Sequence, residues 1–391
     1  MTALPELTAP SDPSGDPSRG RGTEPLLHPL RRSDVLRARA DWRDVHSRVA
    51  HGDGHDSLAE PVETCVASLL APFARLLPSA RGGVPAARLL DEVEGAGYVR
   101  QRWQLELYAG TPFGVYVLRS TTPTVGNGSA PGRATASGLG PGASSARPTV
   151  LAIHGHGYGS RQLVGLNADG TVDTARADGH AHFAESLARL GANVVVPDVL
   201  GFGQRVSAAD QDPAETSACA RLSSRFSALG LSLAGARTAE LVGVVDSLPA
   251  LGLDATAPLG TAGHSGGSLL AMLLALADRR VSAIALSGYV NTFAASILAM
   301  RHCPCNYVPG LLRAGEMPEL LAALAPRPLL VEGGTADPIF PIAGFRTAVG
   351  HLREAYAAAG AADAFLAVEH GGDHRVDGGT IHPALVAALG N

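Results

Sequence analysis

The stretch TAGHSGG (261–267) places a serine between glycines directly after a small apolar run. Gly263, Ser265 and Gly267 fit the pattern G-x-S-x-G, which marks a sharp turn from a strand into a helix with the serine hydroxyl raised at its tip. Glycines suit such a turn because its backbone is strained and neighbouring segments approach closely. A chain with 47 glycines matches this pattern by chance, so its meaning depends on the surrounding sequence.

Apolar segments alternate with helical patterns from residue 149 to the end of the chain. Strands are predicted at 149–153, 193–199, just before Gly263, and at 281–288, 327–334 and 364–372. Helices are predicted near 183–190 and 234–248, from Ser268, around 345–356 and at 381–389. Continuous apolar strands that alternate with helices indicate the α/β class, with a mostly parallel central sheet covered by helices on both faces.

Three segments are predicted by composition and periodicity. Residues 1–25 are rich in Pro, Ser, Gly and Asp and are predicted to be a disordered tail. Residues 26–94 are predicted to be an N-terminal helical segment, either a cap beside an active site or helices that pad the core. Residues 95–391 form the predicted catalytic domain. Its strands near 99–107 and 114–119 precede a flexible loop at 120–148, which is rich in Gly, Pro, Ser and Ala.

In a parallel sheet, ligands bind at the carboxyl ends of the strands, so functional side chains are expected there. Ser265, Asp337 and His374 each follow a predicted strand, in the chain order serine, acid, histidine. A serine hydroxyl needs an adjacent base to become a nucleophile, and His374 is the predicted base and later the acid. Asp337 would hold the imidazole in the correct tautomer and stabilise it when charged.

Other titratable residues compete for the acid and base positions. His370 ends its strand and His382 lies in the last predicted helix, whereas His374 lies in the loop between them. The rival acids, which are Asp363, Asp373 and Asp377, do not follow the penultimate strand as Asp337 does.

The loop HGHG (154–157) follows another predicted strand. The oxyanion hole is predicted from the backbone N–H of Gly266, the residue after the nucleophile, and from that of His156. One such donor contributes about 3 kcal/mol to transition-state stabilisation. Tyr158, the next residue along this loop, is a candidate for substrate binding.

Several nearby residues are expected to have structural roles. His154 and His264 are expected to pack rather than react. Asp198 and Arg205 flank the segment GFG (201–203) and are expected to order that loop.

Composition excludes several classes of function. All 31 basic side chains are arginine, which excludes Schiff-base chemistry and a Walker-type phosphate loop. The formal net charge is −5, so the chain lacks the excess of basic residues that indicates nucleic-acid binding. The N-terminus has no apolar secretory segment, and no stretch approaches the length of a membrane span. We therefore expect a cytoplasmic protein with reduced cysteines.

No metal and no cofactor are predicted from the sequence. Cys303 and Cys305, in the run CPC, are too close for an ordinary disulfide, and no second cysteine pair accompanies them. A structural role is therefore expected for this run. The histidine pairs at 154/156 and 180/182 lack carboxylate or cysteine partners in any recognised motif.

The sequence resembles the α/β-hydrolase superfamily, in the branch of dienelactone-hydrolase-like and acetylxylan-esterase-like carboxylesterases. The resemblance is carried by LAIHGHG (151–157), DVLGFGQR (198–205), GHSGG (263–267), the long run 303–341 and GGDHR (371–375), and it covers roughly residues 95–391. It implies a serine ester hydrolase with Ser265, Asp337 and His374 as its triad and no cofactor. One departure concerns the base: the branch has a motif closer to G-G-H, whereas Asp373 intervenes here.

The leading functional prediction is a serine hydrolase that cleaves a small-molecule carboxylic ester or lactone through an acyl-enzyme. The same triad would also serve a thioesterase, an amidase or peptidase, or an acyl transferase in a biosynthetic pathway. A non-catalytic binding protein on a hydrolase scaffold is the alternative of another class. The oligomeric state is open, and a homodimer is the default expectation for a soluble enzyme.

Overall fold

The computed structural model describes residues 56–74, 76, 83, 85–122, 146–175, 179–180, 182–206 and 217–390. Nine strands in these ranges form one sheet: β1 (Ala86–Gly95), β2 (Tyr98–Glu106), β3 (Phe113–Ser120), β4 (Thr149–Ile153), β5 (Asn193–Pro197), β6 (Leu259–His264), β7 (Val281–Ser287), β8 (Leu329–Gly334) and β9 (Phe365–His370). The longer helices are α1 (Asp56–Ala74), α3 (Phe183–Arg189), α4 (Cys219–Ala228), α5 (Leu233–Asp246), α6 (Gly266–Ala277), α9 (Ile342–Ala358) and α10 (Ile381–Gly390). The shorter ones are α2 (Ser160–Leu163), α7 (Leu311–Ala314) and α8 (Met317–Ala322), with 3₁₀ turns at Gly203–Arg205, Pro304–Asn306 and Ala362–Ala364.

The sheet runs in the order β1-β2-β3-β5-β4-β6-β7-β8-β9. The pairs from β5 to β9 are parallel, whereas the pairs among β1, β2, β3 and β5 are antiparallel. Strand β4 pairs with β5 on one side and with β6 on the other, so the loops after β4 and β6 leave the same edge side by side. This edge is where ligands bind in open α/β sheets.

Helices cover both faces of the sheet, as the alternation along β4 shows. Leu151 and Ile153 belong to one apolar cluster, which includes α5, α6 and α9. Val150 and Ala152 belong to another, which includes α3 and α10. All four side chains are fully buried. Because both faces are covered, a strand such as β4 reads as an unbroken apolar run, and the predicted α/β class is confirmed.

The structure differs from the predicted helical segment 26–94 near its end. Residues Ala86–Gly95 form strand β1, which pairs antiparallel with β2 through a tight turn at Gly97, whose φ is +87°. The sheet therefore begins nine residues before position 95. This edge strand exposes Leu89 and Val93 to solvent, so its sequence lacks the apolar alternation that predicts a half-buried strand.

Helix α1 is described over Asp56–Ala74 and packs against α5. Val62, Val66 and Phe73 are buried, and the carbonyl oxygen of Leu69 lies 2.4 Å from the position that a Cβ on Gly235 would occupy. The predicted tail 1–25, residues 26–55 and most of the loop 120–148 lie outside the described residues.

No single helix in the described part of the chain is long and apolar enough to cross a membrane. The bent pair of α4 and α5 meets the criteria of length and composition.

Candidate active site

Ser265 occupies a strained turn between β6 and α6. Its φ of 54° and ψ of −127° are unusual for a residue with a side chain, and such strain is concentrated at functional sites. Its N–H donates a hydrogen bond of 2.9 Å to the carbonyl oxygen of Ser287 in β7. A Cβ on Gly263 would lie 2.4 Å from the Gly267 oxygen, and one on Gly267 would lie 2.2 Å from the Ile153 oxygen. Both glycines are therefore required by backbone contacts.

The three residues predicted as a triad lie in hydrogen-bond contact. The Oγ of Ser265 is 2.9 Å from Nε2 of His374, and Nδ1 of His374 is 2.7 Å from Oδ2 of Asp337. Asp337 lies in the loop after β8, and its other oxygen, Oδ1, accepts the N–H groups of Ile339 at 2.8 Å and Phe340 at 2.9 Å. Its side chain is 1% exposed. A nucleophile, a base and an orienting acid require such a chain of hydrogen bonds.

Asp337 is held in its ionised form. Burial raises its pKa, but the hydrogen bond and charge of His374, together with the N–H groups of Phe340 and Ile339, outweigh burial, and the pKa is lowered from its ordinary value. A carboxylate in this state can stabilise the imidazolium that forms when His374 takes up a proton.

Aromatic rings surround His374. Phe340 stacks on it with centroids 5.5 Å apart, and Tyr289 packs on Phe340 at 4.8 Å. On another side, the ring of His264 lies 4.8 Å from that of His374. Burial, with a smaller contribution from His374, lowers the pKa of His264 to about 3. His264 is therefore neutral at physiological pH and packs beside His374, as expected from the sequence.

The N–H groups of Gly266 and His156 are the two donors predicted for the oxyanion hole, and that assignment stays a prediction. Gly266 begins α6, where N–H groups have no partner within the helix. The N–H of Gly155 is occupied, because it donates to Nε2 of His180 at 2.9 Å. Neither the Gly266 N–H nor the His156 N–H has a hydrogen-bond partner among the described residues. The His156 ring covers Gly266, since a Cβ there would lie 2.6 Å from ring atoms Cε1 and Nδ1.

Tyr158 packs on His180, with ring centroids 3.6 Å apart. His180 in turn forms an edge contact with His264 at 4.9 Å and is almost fully buried. Tyr158 therefore supports the histidine that holds the Gly155 N–H, and its predicted role in substrate binding stays a prediction. The contribution of His180 was not anticipated from the sequence, because the loop that carries it has no motif.

The loops after β4 and β5 are joined by Asp198. Its Oδ1 accepts the N–H of Ser160 at 2.7 Å, and its Oδ2 accepts the N–H of Gln204 at 3.3 Å. Arg205 pairs with Glu240 through two contacts of 2.6 and 2.9 Å. Both residues order the loop in the way the sequence indicates.

His154 has a packing role. It is buried, and its Nε2 accepts the N–H of Val199 at 3.0 Å. This bond joins the start of the HGHG loop to the loop after β5.

Glu332 is a buried carboxyl group in β8 that sequence reasoning missed. It accepts the hydroxyl of Ser287 at 2.8 Å and the N–H groups of Asp377 and Gly378, each at 3.0 Å. Burial raises its pKa, although these hydrogen bonds oppose the shift. Glu332 thereby anchors the loop that carries His374. An acid inside the apolar run RPLLVEGG was the available signal.

The rival residues lie in other surroundings. Nδ1 of His370 accepts the N–H of Gly372 at 3.2 Å, and His382 is buried with its ring 5.7 Å from that of Phe183. Asp377 accepts the N–H of Gly379 at 3.3 Å. The structure thus brings His374, and not the other two histidines, to Ser265.

Four side chains that suit a metal ion meet at the HGHG loop. They are His156, Cys219, Cys303 and Cys305, whose ligand atoms all lie within 4.8 Å of one another. The sequence prediction of no metal considered the CPC run without Cys219 and His156, because only the fold brings these residues together.

No protein-family model and no curated protein matches the sequence. Solved structures do match. A Bacteroides fragilis protein assigned as an acetyl xylan esterase is similar at a TM-score of 0.61 and 16% identity, over 83% of this chain and 81% of that one. The methylesterase BT1017 is similar at 0.56 and 20% identity, over 91% and 67%. A glucuronoyl esterase from Solibacter usitatus is similar at 0.54 and 13% identity, over 83% and 91%.

All three similar structures carry the names of esterases, and their identity to this chain is low. Together with the sheet order and the turn at Ser265, they confirm the fold that the sequence motifs predicted: the chain has the α/β-hydrolase fold.

Proposed function

We propose that the protein is a serine hydrolase that cleaves a carboxylic ester or lactone through an acyl-enzyme. The observation that carries this proposal is the chain of two hydrogen bonds from Ser265 through His374 to Asp337, which begins at a strained turn. A serine with only a structural role has no need of an adjacent base that is itself oriented by a buried carboxylate.

Acylation follows from this geometry. Nε2 of His374 accepts the proton of Ser265 as Oγ attacks the carbonyl carbon of the ester. The resulting oxyanion accepts the N–H groups of Gly266 and His156, and the Asp337 carboxylate stabilises the imidazolium. His374 then gives its proton to the leaving alcohol oxygen, which departs and leaves the acyl group on Ser265.

Deacylation repeats these roles with water. His374 removes a proton from a water molecule, whose oxygen attacks the acyl carbon of the Ser265 ester. Collapse of the second tetrahedral intermediate breaks the bond to Ser265 Oγ, which recovers the proton from His374. The carboxylic acid product leaves, and the resting triad is restored.

The proposal is tested by a fluorophosphonate reaction followed by peptide mass spectrometry. This reagent reacts with a serine that an adjacent base activates, so we expect an adduct on the peptide containing Ser265. The adduct should be absent from Ser265→Ala and from His374→Ala, each checked for native circular dichroism. A folded wild-type protein that does not react would contradict the proposal and favour the binding-scaffold alternative.

A substrate panel then separates the bond types that one triad can cleave. It should contain aryl esters, lactones, thioesters, anilides, acetylated sugars and uronic-acid methyl esters. The last two are included because the similar structures are named as an acetyl xylan esterase, a methylesterase and a glucuronoyl esterase. We expect ester or lactone turnover to exceed that of the other bonds. Preferential cleavage of thioesters or anilides would instead identify a thioesterase or an amidase. Transfer to an added acceptor alcohol would identify an acyl transferase.

A further inference from the structure

Three separate loops converge on one cluster of sulfur and nitrogen atoms. His156 lies in the loop after β4, and Cys219 begins α4. Cys303 and Cys305 flank a proline in the connection between β7 and α7. Cys219 and Cys305 are buried, and His156 and Cys303 are half-buried. Four ligand groups therefore meet at one largely enclosed point beside the triad.

The distances approach those of a tetrahedral zinc site. Bonds of about 2.3 Å to sulfur and 2.0–2.1 Å to nitrogen place neighbouring ligand atoms about 3.5–3.8 Å apart. The Sγ atoms of Cys303 and Cys305 are 3.6 Å apart, and Sγ of Cys219 is 3.8 Å from Nε2 of His156. Nε2 of His156 is 2.9 Å from Sγ of Cys305, a hydrogen-bond distance. This separation would lengthen by about 0.6 Å on metal binding.

The charge around the cluster also suits a metal. Arg237 is buried, and its Nη2 lies 3.4 Å from Sγ of Cys219. The same guanidinium donates to the Leu200 carbonyl oxygen at 2.7 and 3.0 Å, and it lies over the ring of Phe202 at 4.6 Å. Three thiolates, one divalent ion and one guanidinium sum to zero charge. A buried site of this composition avoids the desolvation cost of an unpaired charge.

We propose that His156, Cys219, Cys303 and Cys305 bind one zinc ion in a closed, structural site. Thiolate ligands select zinc over the hard cations magnesium and calcium. The protein supplies all four ligands of the tetrahedron, so no coordination position remains for substrate or for an activated water. The ion would join the three segments through coordination bonds, in addition to any hydrophobic contacts between them.

Zinc binding would also fix one wall of the active site. Nε2 of His156 points to the sulfur atoms, whereas its Cε1 and Nδ1 edge lies against Gly266. A coordinated ring cannot turn away from Gly266, so the backbone of the HGHG loop is held beside the nucleophile turn. The proposed zinc site does not rest on the serine-hydrolase proposal, because no ligand belongs to the triad.

Elemental analysis of the full-length protein tests the proposal directly. Protein prepared with a thiol reductant and without chelators should carry about one zinc per chain. The double variant Cys303→Ser/Cys305→Ser should retain less than about a tenth of that amount. Cys65→Ser is the matched control, because Cys65 lies in α1 outside the cluster, and it should keep its zinc. Ser265→Ala should also keep its zinc, which separates this proposal from the catalytic one.

A measurement on the unaltered protein covers the case in which the double variant does not fold. X-ray absorption at the zinc edge should show about three sulfur neighbours at 2.3 Å and one nitrogen near 2.0 Å. Two results would overturn the proposal. One is folded wild-type protein that takes up no zinc even after incubation with the ion. The other is a disulfide among Cys219, Cys303 and Cys305 in non-reducing peptide maps of freshly reduced and desalted protein.

Discussion

The nucleophile turn and the cysteine–histidine cluster are neighbours in space but differ in how the sequence encodes them. The turn occupies one short segment around Ser265, and its backbone conformation requires glycines at fixed positions. In the cluster, by contrast, His156 and Cys219 are 63 residues apart in the sequence, and His156 and Cys305 are 149 apart. A site that depends on a strained local backbone can be recognised by a short sequence motif. A site formed only by side chains that converge from distant positions has no such motif.

The largest expected effect is that of Ser265→Ala. Removal of the nucleophile should lower kcat/KM by about 10⁵-fold or more, since the triad acts as a unit. Zinc content and the thermal midpoint should not change, because neither the cluster nor the core depends on the hydroxyl. Steady-state kinetics on the best ester of the panel measures the change. A folded variant within tenfold of the wild type would remove Ser265 from the mechanism.

Asp337→Asn should have the next largest effect. The amide cannot hold His374 in the required tautomer, and the expected loss in kcat is about 10⁴-fold. Asp377→Asn is the matched control, because Asp377 lies in the same region and accepts only the N–H of Gly379 among the described residues. Rates measured side by side decide the assignment: a larger loss for the Asp377 variant would show that the wrong acid is identified.

Most of the fold, and the contact among Ser265, His374 and Asp337, could be predicted because their determinants are local. Strands such as β4 are buried on both faces and read as apolar runs, and Ser265, Asp337 and His374 follow strand ends in order. Strand β1 could not be recognised, because it is an exposed edge whose partner is supplied only by the hairpin with β2.

The parts of the site that sequence reasoning missed depend on long-range contacts. Glu332 accepts the N–H groups of residues 377 and 378, which lie 45 and 46 positions away, and His180 accepts that of Gly155, which lies 25 positions away. Nothing in the immediate sequence of either residue specifies its partner. The same holds for Cys219, because only the fold brings it to the CPC run.

A smaller effect is expected from Cys305→Ser, which connects the two regions. Loss of one ligand should release zinc and loosen the His156 ring beside Gly266, lowering kcat by about 10–100-fold. KM should change little, because the oxyanion donors act in the transition state rather than in ground-state binding. Cys65→Ser gives the baseline for both parameters. An unchanged kcat after complete loss of zinc would limit the cluster to a role in stability.

The smallest expected effect, counted per titratable side chain, is a loss of folding stability in acid. His180, His264 and His382 are buried, and burial lowers the pKa of each, to about 3 for His264 and about 4 for His382. Unfolded histidines titrate near 6.5, so below that pH these three groups bind up to three more protons in the unfolded chain than in the native protein. Stability present above pH 6.5 should therefore fall as the pH drops from about 6.5 towards 4, by up to about 1.4 kcal/mol per pH unit for each histidine. Glu332, whose pKa is raised, opposes this trend near the acid end of the range.

Urea unfolding at pH 7.5, 6.0 and 5.0 measures how the free energy of unfolding depends on pH. Equal free energies of unfolding at all three pH values would show that these histidines are already protonated, or exposed, in the native protein.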